Sequence, residues 1–278
     1  MTQSRPILYD THMHTPLCKH ASGQPEEYAA AAARRGLAGI VITCHNPGPS
    51  PDWSPQVRMS INQFDEYVAM VARAREAWHG RVDVRLGLEC DYLPGMETWI
   101  ESLLNRAPYH HVLGSIHPQL DYYRDAYDHG DPVAFQQTYF DHLAQSAESG
   151  LFDTVAHPDL VKNVFPRAWH MDRLLDDVRR SLDRIAATGV AMELNTSGLH
   201  KRIREMNPNP TILAEMRLRD IPVVIGSDAH DPSRVGADFL PAMDLLAAAG
   251  YTQTSFFLDR QRHNVSLENA RASLTQGI

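Results

Sequence analysis

The sequence predicts an α/β fold, a parallel (β/α) barrel, from three observations. Short runs rich in β-branched residues alternate seven or eight times with longer helical patterns, which is typical of a parallel sheet covered by helices. Several helical segments end in glycine, a common helix terminator. Histidine and acidic residues recur at the ends of nearly all the strand-like runs. A closed barrel brings those ends to one rim, whereas an open doubly wound sheet gathers ligands at one switch point, so we favour the barrel.

The candidate strands and helices follow one another along the chain. The β-branched runs predict strands at residues 7–12, 39–44, 82–89, 111–117, 152–157, 190–195 and 222–228, with an eighth short run at 254–258. The apolar periodicity between them predicts helices at 26–35, 62–79, 96–106, 132–149, 171–188, 211–220 and 235–249. The segment 46–60 is rich in proline and serine, and it predicts an irregular loop that would form a lid over the barrel mouth.

The composition favours one large globular domain, which we expect to span residues 1–278. The formal net charge is −8, and this disfavours nucleic-acid binding, which needs a basic face. No apolar run approaches the roughly 18 residues of a membrane helix, and the N-terminus has no apolar targeting core. Three cysteines are too few for a disulfide framework, so we expect a cytoplasmic protein. The sequence leaves the oligomeric state open.

The ends of the predicted strands carry nine potential metal ligands. Residues two apart in a strand face the same way, so His12 and His14 share a face, and Asp228 and His230 repeat that spacing. Imidazoles and carboxylates that converge on one rim suit divalent metals such as Zn, Mn or Fe. The nine candidate ligands are His12, His14, His20, His45, Glu89, His117, His157, Asp228 and His230.

Nine ligands are too many for one ion. A carboxylate bridges two ions more readily than an imidazole does, so Glu89 is the natural bridging ligand. One workable partition assigns three ions to three ligand groups: His12, His14, Glu89 and Asp228; Glu89, His117 and His157; and His20, His45 and His230.

The three cysteines lie close to these ligands in the sequence. Cys44 precedes His45 and Cys90 follows Glu89, so strand alternation predicts that both thiols point away from the metals and pack in the core. Cys18 lies on the loop after the first strand and could approach the site, but we favour a packing role for it too.

The order of the motifs resembles the PHP (polymerase and histidinol phosphatase) family of metallophosphoesterases. The matching motifs run from Asp10 to His230 and are DTHMH, CKHAS, TCHN, GLE, SIH, AHPDL and SDAH. The resemblance implies a distorted (β/α)7 TIM-like barrel with a trinuclear metal centre at the C-terminal ends of the strands. It assigns the nine candidate ligands to three divalent ions in the partition given above.

Within the family, the sequence is most similar to the monofunctional histidinol-phosphatases. The segments that carry this resemblance are LCKHASG, SGLFDTVAHPDLVK and MELNTSGL followed by NPNPTIL. The resemblance implies a hydrolase of histidine biosynthesis that converts L-histidinol phosphate, a small phosphate ester, to L-histidinol and phosphate. We hypothesise that a metal-bound hydroxide attacks phosphorus, with Asp228 and Glu89 as catalytic carboxylates. The alternatives are a PHP-type phosphoesterase for another small phosphate ester or a nucleotide, and a metal-binding regulator without activity.

Substrate-binding residues are predicted on the loops that follow the strands. Cations there would hold the phosphate, and Asn195 shares a strand face with Glu193, so Asn195 would position the substrate while Glu193 would lie behind the ligands or in the core. The candidate cations are Lys162, Lys201, Arg202 and Arg234. For the substrate amine the sequence offers three acids without choosing between them: Asp52, Asp91 and Asp121.

Overall fold

The computed structural model describes residues 7–274, and within them nine strands form one sheet in sequence order. Each of the first seven strands pairs in parallel with the next, and the last pair, formed by the eighth and ninth strands, is antiparallel. The strands are β1 (Tyr9–Asp10), β2 (Gly39–Ile42), β3 (Asp83–Asp91), β4 (His111–Ser115), β5 (Thr154–Val155), β6 (Ala191–Asn195), β7 (Val223–Gly226), β8 (Gln253–Leu258) and β9 (Gln261–Ser266).

The sheet closes on itself because the chain after β1 meets the chain after β7. Met13 and Ala229 form a parallel bridge there. The His14 amide donates to the Ala229 carbonyl over 2.9 Å, and the Ala229 amide donates to the His12 carbonyl over 3.2 Å. The predicted (β/α) barrel is therefore confirmed, and its closure places the ends of β1 and β7 side by side.

Helices cover the outside of the barrel. The helix α5 (Pro132–Glu148) begins at a proline that follows Asp131, whose carboxylate accepts the amides of Val133 and Ala134. The helix α6 (Met171–Thr188) is capped by Gly189, whose left-handed backbone has a φ of 76°. The α-helices of residues 7–274 are α1 (Pro25–Arg34), α2 (Phe64–Ala77), α3 (Glu97–Leu104), α4 (Asp121–Tyr127), α5 (Pro132–Glu148), α6 (Met171–Thr188), α7 (Pro210–Leu218), α8 (Phe239–Ala248) and α9 (Leu267–Leu274).

The sequence did not predict three of these elements. Strand β9 has mostly exposed residues and a polar sequence, QRHNVS, so it lacks the apolar signal of a buried strand. The helices α4 and α9 have only 7 and 8 residues, too short for a clear periodicity. The eighth short run is confirmed as β8.

The barrel strands are buried on both faces, as expected for a parallel sheet that helices cover. Every residue of β2, β4, β6 and β7 is buried. Across residues 7–274, no helix combines the length and the apolar character that a membrane crossing requires. A single domain over residues 1–278 stays a prediction.

Candidate metal centre

The nine candidate ligands meet at the C-terminal rim of the barrel. The ring centroids of His14 and His230 are 3.9 Å apart, those of His14 and His45 are 4.3 Å apart, and those of His20 and His230 are 4.6 Å apart. On the other side of the rim, His117 stands 5.0 Å from His45. Imidazoles that the sequence separates by more than two hundred residues therefore form one cluster.

Glu89 lies at the centre of this cluster. It is the seventh residue of β3, only 1% exposed, and it approaches five imidazoles. Burial alone would raise the pKa of Glu89, but the neighbouring histidines outweigh it and hold this pKa well below its usual value. The distances from the carboxylate oxygens to the nearest imidazole nitrogens are 3.5 Å for His12, 3.6 Å for His14, 2.6 Å for His45, 3.5 Å for His117 and 3.0 Å for His157.

Asp228 forms the second carboxylate of the cluster. Its Oδ1 atom is 3.1 Å from His14 Nε2 and 3.7 Å from His12 Nε2. Its Oδ2 atom accepts the Ser197 hydroxyl over 2.9 Å and lies 3.4 Å from the Lys201 ammonium. One oxygen therefore faces the imidazoles and the other faces a cation.

Buried polar atoms in the cluster lack hydrogen bonds of acceptable geometry. They include His12 Nε2, His45 Nδ1, His157 Nδ1 and Glu89 Oε2. His45 Nδ1 and Glu89 Oε2 lie 2.6 Å apart without the alignment of a hydrogen bond. Because an unpaired buried polar group is costly, these atoms fit a site that cations complete.

The donors are close enough together to share ions. Three groups each have all their donor atoms within 4.8 Å of one another: His12, His14 and Asp228; His45, Glu89 and His117; and His14, His45 and His230. Burial, together with the charge of neighbouring His14, lowers the pKa of His230 to about 3, which favours the neutral imidazole that binds metal. Nitrogen and carboxylate donors in such groups suit borderline divalent ions.

Two candidate ligands have backbone conformations that non-glycine residues rarely adopt. His157 has a φ of 28° and Asp228 has a φ of 51°. Such conformations cost on the order of 1–3 kcal/mol each and cluster at functional sites. The fold therefore aims these two side chains at the cluster despite an unfavourable local geometry.

Carboxylates and carbonyls hold the outer nitrogens of several ligands. His12 Nδ1 is 2.6 Å from Glu193 Oε1, and His117 Nδ1 is 2.6 Å from Asp91 Oδ1. His20 Nδ1 donates to the Cys18 carbonyl over 2.7 Å. These contacts leave the opposite nitrogens to face the cluster, the arrangement that orients metal-binding histidines.

Arg58 is a site residue that the sequence analysis missed. It lies in the segment predicted as a lid and is only 2% exposed. Its Nε and Nη2 atoms donate to the two oxygens of Asp91 over 2.6 and 2.8 Å, and Nη2 is 3.1 Å from His117 Nδ1. Burial would raise the pKa of Asp91, but Arg58 holds it well below its usual range. A lone arginine in an irregular segment carries no periodic signal that would identify it.

Lys19 fastens the same segment to the first loop. Its ammonium donates to the carbonyls of Pro55 over 2.6 Å and of Arg58 over 2.9 Å. The segment therefore lies beside the mouth of the cluster with its arginine turned inward, as the lid prediction requires.

A cavity of about 380 Å³ opens above the ligands. Apolar side chains and two cations line it together with the candidate ligands. Its lining residues are His20, His45, Val57, Arg58, His117, Gln119, Leu120, His157, Leu160, Lys201, Asp228 and His230.

Lys201 is the one predicted phosphate-binding cation that lines this cavity. The prediction for Lys162 is wrong, because this side chain is fully buried and its ammonium binds the Asp159 carboxylate over 3.0 Å and the Met206 carbonyl over 2.9 Å. Arg202 is exposed outside the cavity lining, and Arg234 pairs with Asp238 over 2.7 Å. Neither arginine lines the cavity, and a phosphate-binding role for them stays a prediction.

Two further predicted substrate contacts are wrong because internal partners occupy the side chains. The Asn195 amide nitrogen donates to Glu193 over 3.1 Å, and its oxygen accepts the amide and the hydroxyl of Ser197. Asp91 is not free for a substrate amine, because Arg58 and His117 bind it.

The prediction that Cys44 points away from the ligands is also wrong. The thiols of Cys44 and Cys18 and a nitrogen of His14 all lie within 4.8 Å of one another. Strand β2 ends at Ile42, so strict alternation no longer applies at Cys44. Cys90 packs in the apolar core as predicted.

Comparisons with known proteins agree on one family and one fold. The family model described as "PHP domain" matches residues 10–197. A protein of Deinococcus radiodurans named "Probable histidinol-phosphatase" is 37% identical over 255 residues, covering 90% of this chain and 96% of the relative. "Histidinol-phosphatase" of Bacillus subtilis is 28% identical over 255 residues, covering 82% of this chain and 95% of the relative.

A solved structure has a similar fold. It is the histidinol phosphate phosphatase of Lactococcus lactis, complexed with zinc, L-histidinol and phosphate. The superposition has a TM-score of 0.77 at 18% identity and covers 92% of this chain and 98% of that chain.

Proposed function

The chain belongs to the PHP domain family, and on this premise we propose that it is a metal-dependent phosphomonoesterase that hydrolyses L-histidinol phosphate to L-histidinol and phosphate. The observation that carries the proposal is the position of Glu89, whose buried carboxylate approaches five imidazoles, three of which line an open cavity. The names of the relatives in Deinococcus radiodurans and Bacillus subtilis support the choice of substrate.

The nine candidate ligands would hold up to three divalent ions, with Glu89 as the carboxylate shared between ions. Bound ions would neutralise phosphate charge and lower the pKa of a water molecule, the two requirements for hydrolysis of a phosphate monoester near neutral pH. Zinc, manganese and iron all suit this mixture of nitrogen and oxygen donors.

The chain's own residues would bind and orient the ester. Lys201 reaches the cavity, and its ammonium would attract the phosphate dianion. Val57, Leu120 and Leu160 form an apolar wall that would exclude water from the carbon part of the substrate.

Asp228 would act as an ionised proton acceptor through the oxygen that faces Lys201 and Ser197, because both of these groups donate to that oxygen. This oxygen points toward the cavity side of the cluster, whereas the other oxygen contacts the imidazoles. A carboxylate in such a position can take a proton from an attacking water or pass one to a leaving alkoxide.

A substrate panel tests the proposal. The purified protein, loaded in turn with Zn, Mn or Fe, is assayed with L-histidinol phosphate, an aryl phosphate and a nucleoside monophosphate. We expect the highest kcat/KM for histidinol phosphate. Equal or faster turnover of the other esters would favour a phosphoesterase of another substrate, and full metal loading without any hydrolysis would favour a regulator.

A further inference from the structure

Two of the three cysteines stand beside candidate metal ligands. Cys18 ends the short 3-10 turn Pro16–Cys18, and Cys44 lies just beyond β2. Their sulfur atoms and one nitrogen of His14 are all within 4.8 Å of one another, and all three side chains are buried. The two thiols follow the neighbouring strands β1 and β2, and the parallel pairing of these strands brings them together.

The surroundings of the two sulfurs differ in a way that suits a reaction between them. The Cys44 sulfur accepts the Thr15 amide over 3.4 Å and the Thr15 hydroxyl over 3.2 Å, so its position is held. Cys18 lies on the loop between β1 and α1, where the backbone has more freedom to adjust than in a strand.

Both thiols are fully buried, and two histidines stand between the Cys18 sulfur and the cavity. The Cys18 sulfur lies within 4.8 Å of the donor nitrogens of His20 and His230. Both of these histidines line the open cavity, and His20 is exposed. An oxidant as small as hydrogen peroxide would reach Cys18 when the rings of His20 and His230 move aside.

We propose that Cys18 and Cys44 are an oxidative modification site in which a peroxide converts the two thiols to a disulfide. In the first step one of the two sulfurs attacks the peroxide, the O–O bond breaks, and a sulfenic acid and one water form. In the second step the other sulfur attacks the sulfenic sulfur, the S–O bond breaks, and a second water carries away the hydroxyl and the remaining thiol proton. The sulfurs together lose two electrons, which the peroxide accepts.

Closure of this disulfide disturbs the ligand cluster. A disulfide requires a sulfur–sulfur distance of about 2.05 Å, so the loop that carries Cys18 must shift toward Cys44. The Cys18 carbonyl accepts the hydrogen bond from His20, and Cys44 adjoins His45 in the chain. We therefore expect the oxidised protein to lose metal and activity. This consequence for activity rests on the proposed function, whereas the disulfide itself does not.

The test treats the metal-loaded protein with hydrogen peroxide, blocks free thiols by alkylation under denaturing conditions, and measures the intact mass and the peptide map. We expect the loss of two hydrogen atoms and a crosslinked peptide that joins Cys18 to Cys44, reversed by dithiothreitol. The variants C18S and C44S should not form the crosslink. The matched control is C90S, because Cys90 is buried in the core and belongs to none of the metal-donor groups found among residues 7–274.

An unchanged mass, a crosslink that involves Cys90, or oxidation of single thiols without a crosslink would each overturn the proposal. Peptide mapping of the wild-type protein decides the question even if C18S or C44S fails to fold. The mass measurement does not depend on turnover. A protein that forms the crosslink but does not hydrolyse histidinol phosphate in its reduced, metal-loaded state would therefore refute the proposed function and leave the thiol pair intact.

Discussion

Glu89 shows at the residue scale how one side chain can organise the whole site. The variant Glu89→Gln keeps the size of the side chain but removes the charge that faces five imidazoles. We expect it to bind fewer ions and to lose at least about 100-fold in kcat, since even residues behind metal ligands are worth about 10–100-fold. Elemental analysis and a phosphate-release assay measure both effects.

The control for this variant is Glu101→Gln, which removes the same charge from an exposed position on α3. It should keep the metal content and the activity of the wild type. Full activity of Glu89→Gln with full metal loading would rule out Glu89 as the shared ligand.

Neighbouring cations provide a second test at the residue scale. Lys201 lines the cavity, whereas Arg202 is exposed outside its lining. Because a hydrogen bond to a charged group is worth about 1.5–3 kcal/mol, Lys201→Ala should lower kcat/KM roughly 10- to 100-fold. Arg202→Ala is the matched control and should change it little. Steady-state kinetics measure kcat/KM for both variants. A larger loss in Arg202→Ala than in Lys201→Ala would assign phosphate binding to Arg202.

Arg58 links the lid segment to a candidate ligand through Asp91. Lysine keeps the charge but cannot form the two parallel hydrogen bonds that now hold the Asp91 carboxylate. We expect Arg58→Lys to weaken metal affinity by about 10- to 100-fold, because Asp91 no longer holds His117 in place. Competition with a chromophoric chelator measures the affinity.

The exposed residue Arg204 supplies the control for this prediction. Arg204→Lys should bind metal like the wild type. If Arg58→Lys also does so, the contact between Arg58 and Asp91 is structural rather than a support for the ligand.

At the scale of single elements, β7 must carry a glycine where it passes the cluster. A Cβ atom on Gly226 would stand 2.0 Å from Glu193 Oε1 and 2.9 Å from the His12 Cβ. The variant Gly226→Ala should push Glu193 away from His12 and release the orientation of that ring. We expect a loss of metal affinity beyond the loss of stability, measured by chelator competition and by denaturant unfolding of the metal-free protein.

Gly39 allows the two effects to be separated. A Cβ atom there would also clash, at 2.3 Å from Tyr9 and 2.4 Å from the Asp83 carbonyl, but at the start of β2 and away from the ligand rim. Gly39→Ala should therefore lower stability without a matching loss of metal affinity. Equal losses of affinity in the two variants would mean that Gly226 acts only through folding.

At the scale of the whole molecule, most of the barrel strands contribute a candidate ligand to the cluster. They lie on β3 and in the segments that follow β1, β2, β4, β5 and β7. Ligands that bind only the folded state stabilise it by about 2.7 kcal/mol when their free concentration is 100-fold above the dissociation constant. Metal removal should therefore lower the free energy of unfolding. The expected loss is about 2.7 kcal/mol for each ion whose free concentration was 100-fold above its dissociation constant.

Calorimetry with and without a chelator measures this effect as a shift in Tm. The Glu89→Gln variant should show a smaller shift, because it has less metal to lose. An identical Tm in the presence and absence of metal would show that the cluster does not hold ions at all.

The strand–helix alternation and the meeting of the nine candidate ligands could be predicted from the sequence alone. Both follow from local rules: apolar periodicity defines each element, and the ends of parallel strands share one rim. His12, Glu89 and Asp228 each mark such an end, so their convergence needed no knowledge of side-chain packing.

Which cations reach the cavity, and where the thiols point, depends on tertiary contacts that the sequence pattern does not show. Lys162 and Lys201 are both basic residues on loops after strands, yet Lys162 turns inward to Asp159 while Lys201 turns to Asp228. Arg58 and Cys44 likewise take their positions from partners distant in the chain. The physical reason is that a long or irregularly placed side chain has several orientations of similar local energy. The nearest buried partner determines which of these orientations the side chain adopts. The spacing of residues in the sequence does not reveal that partner.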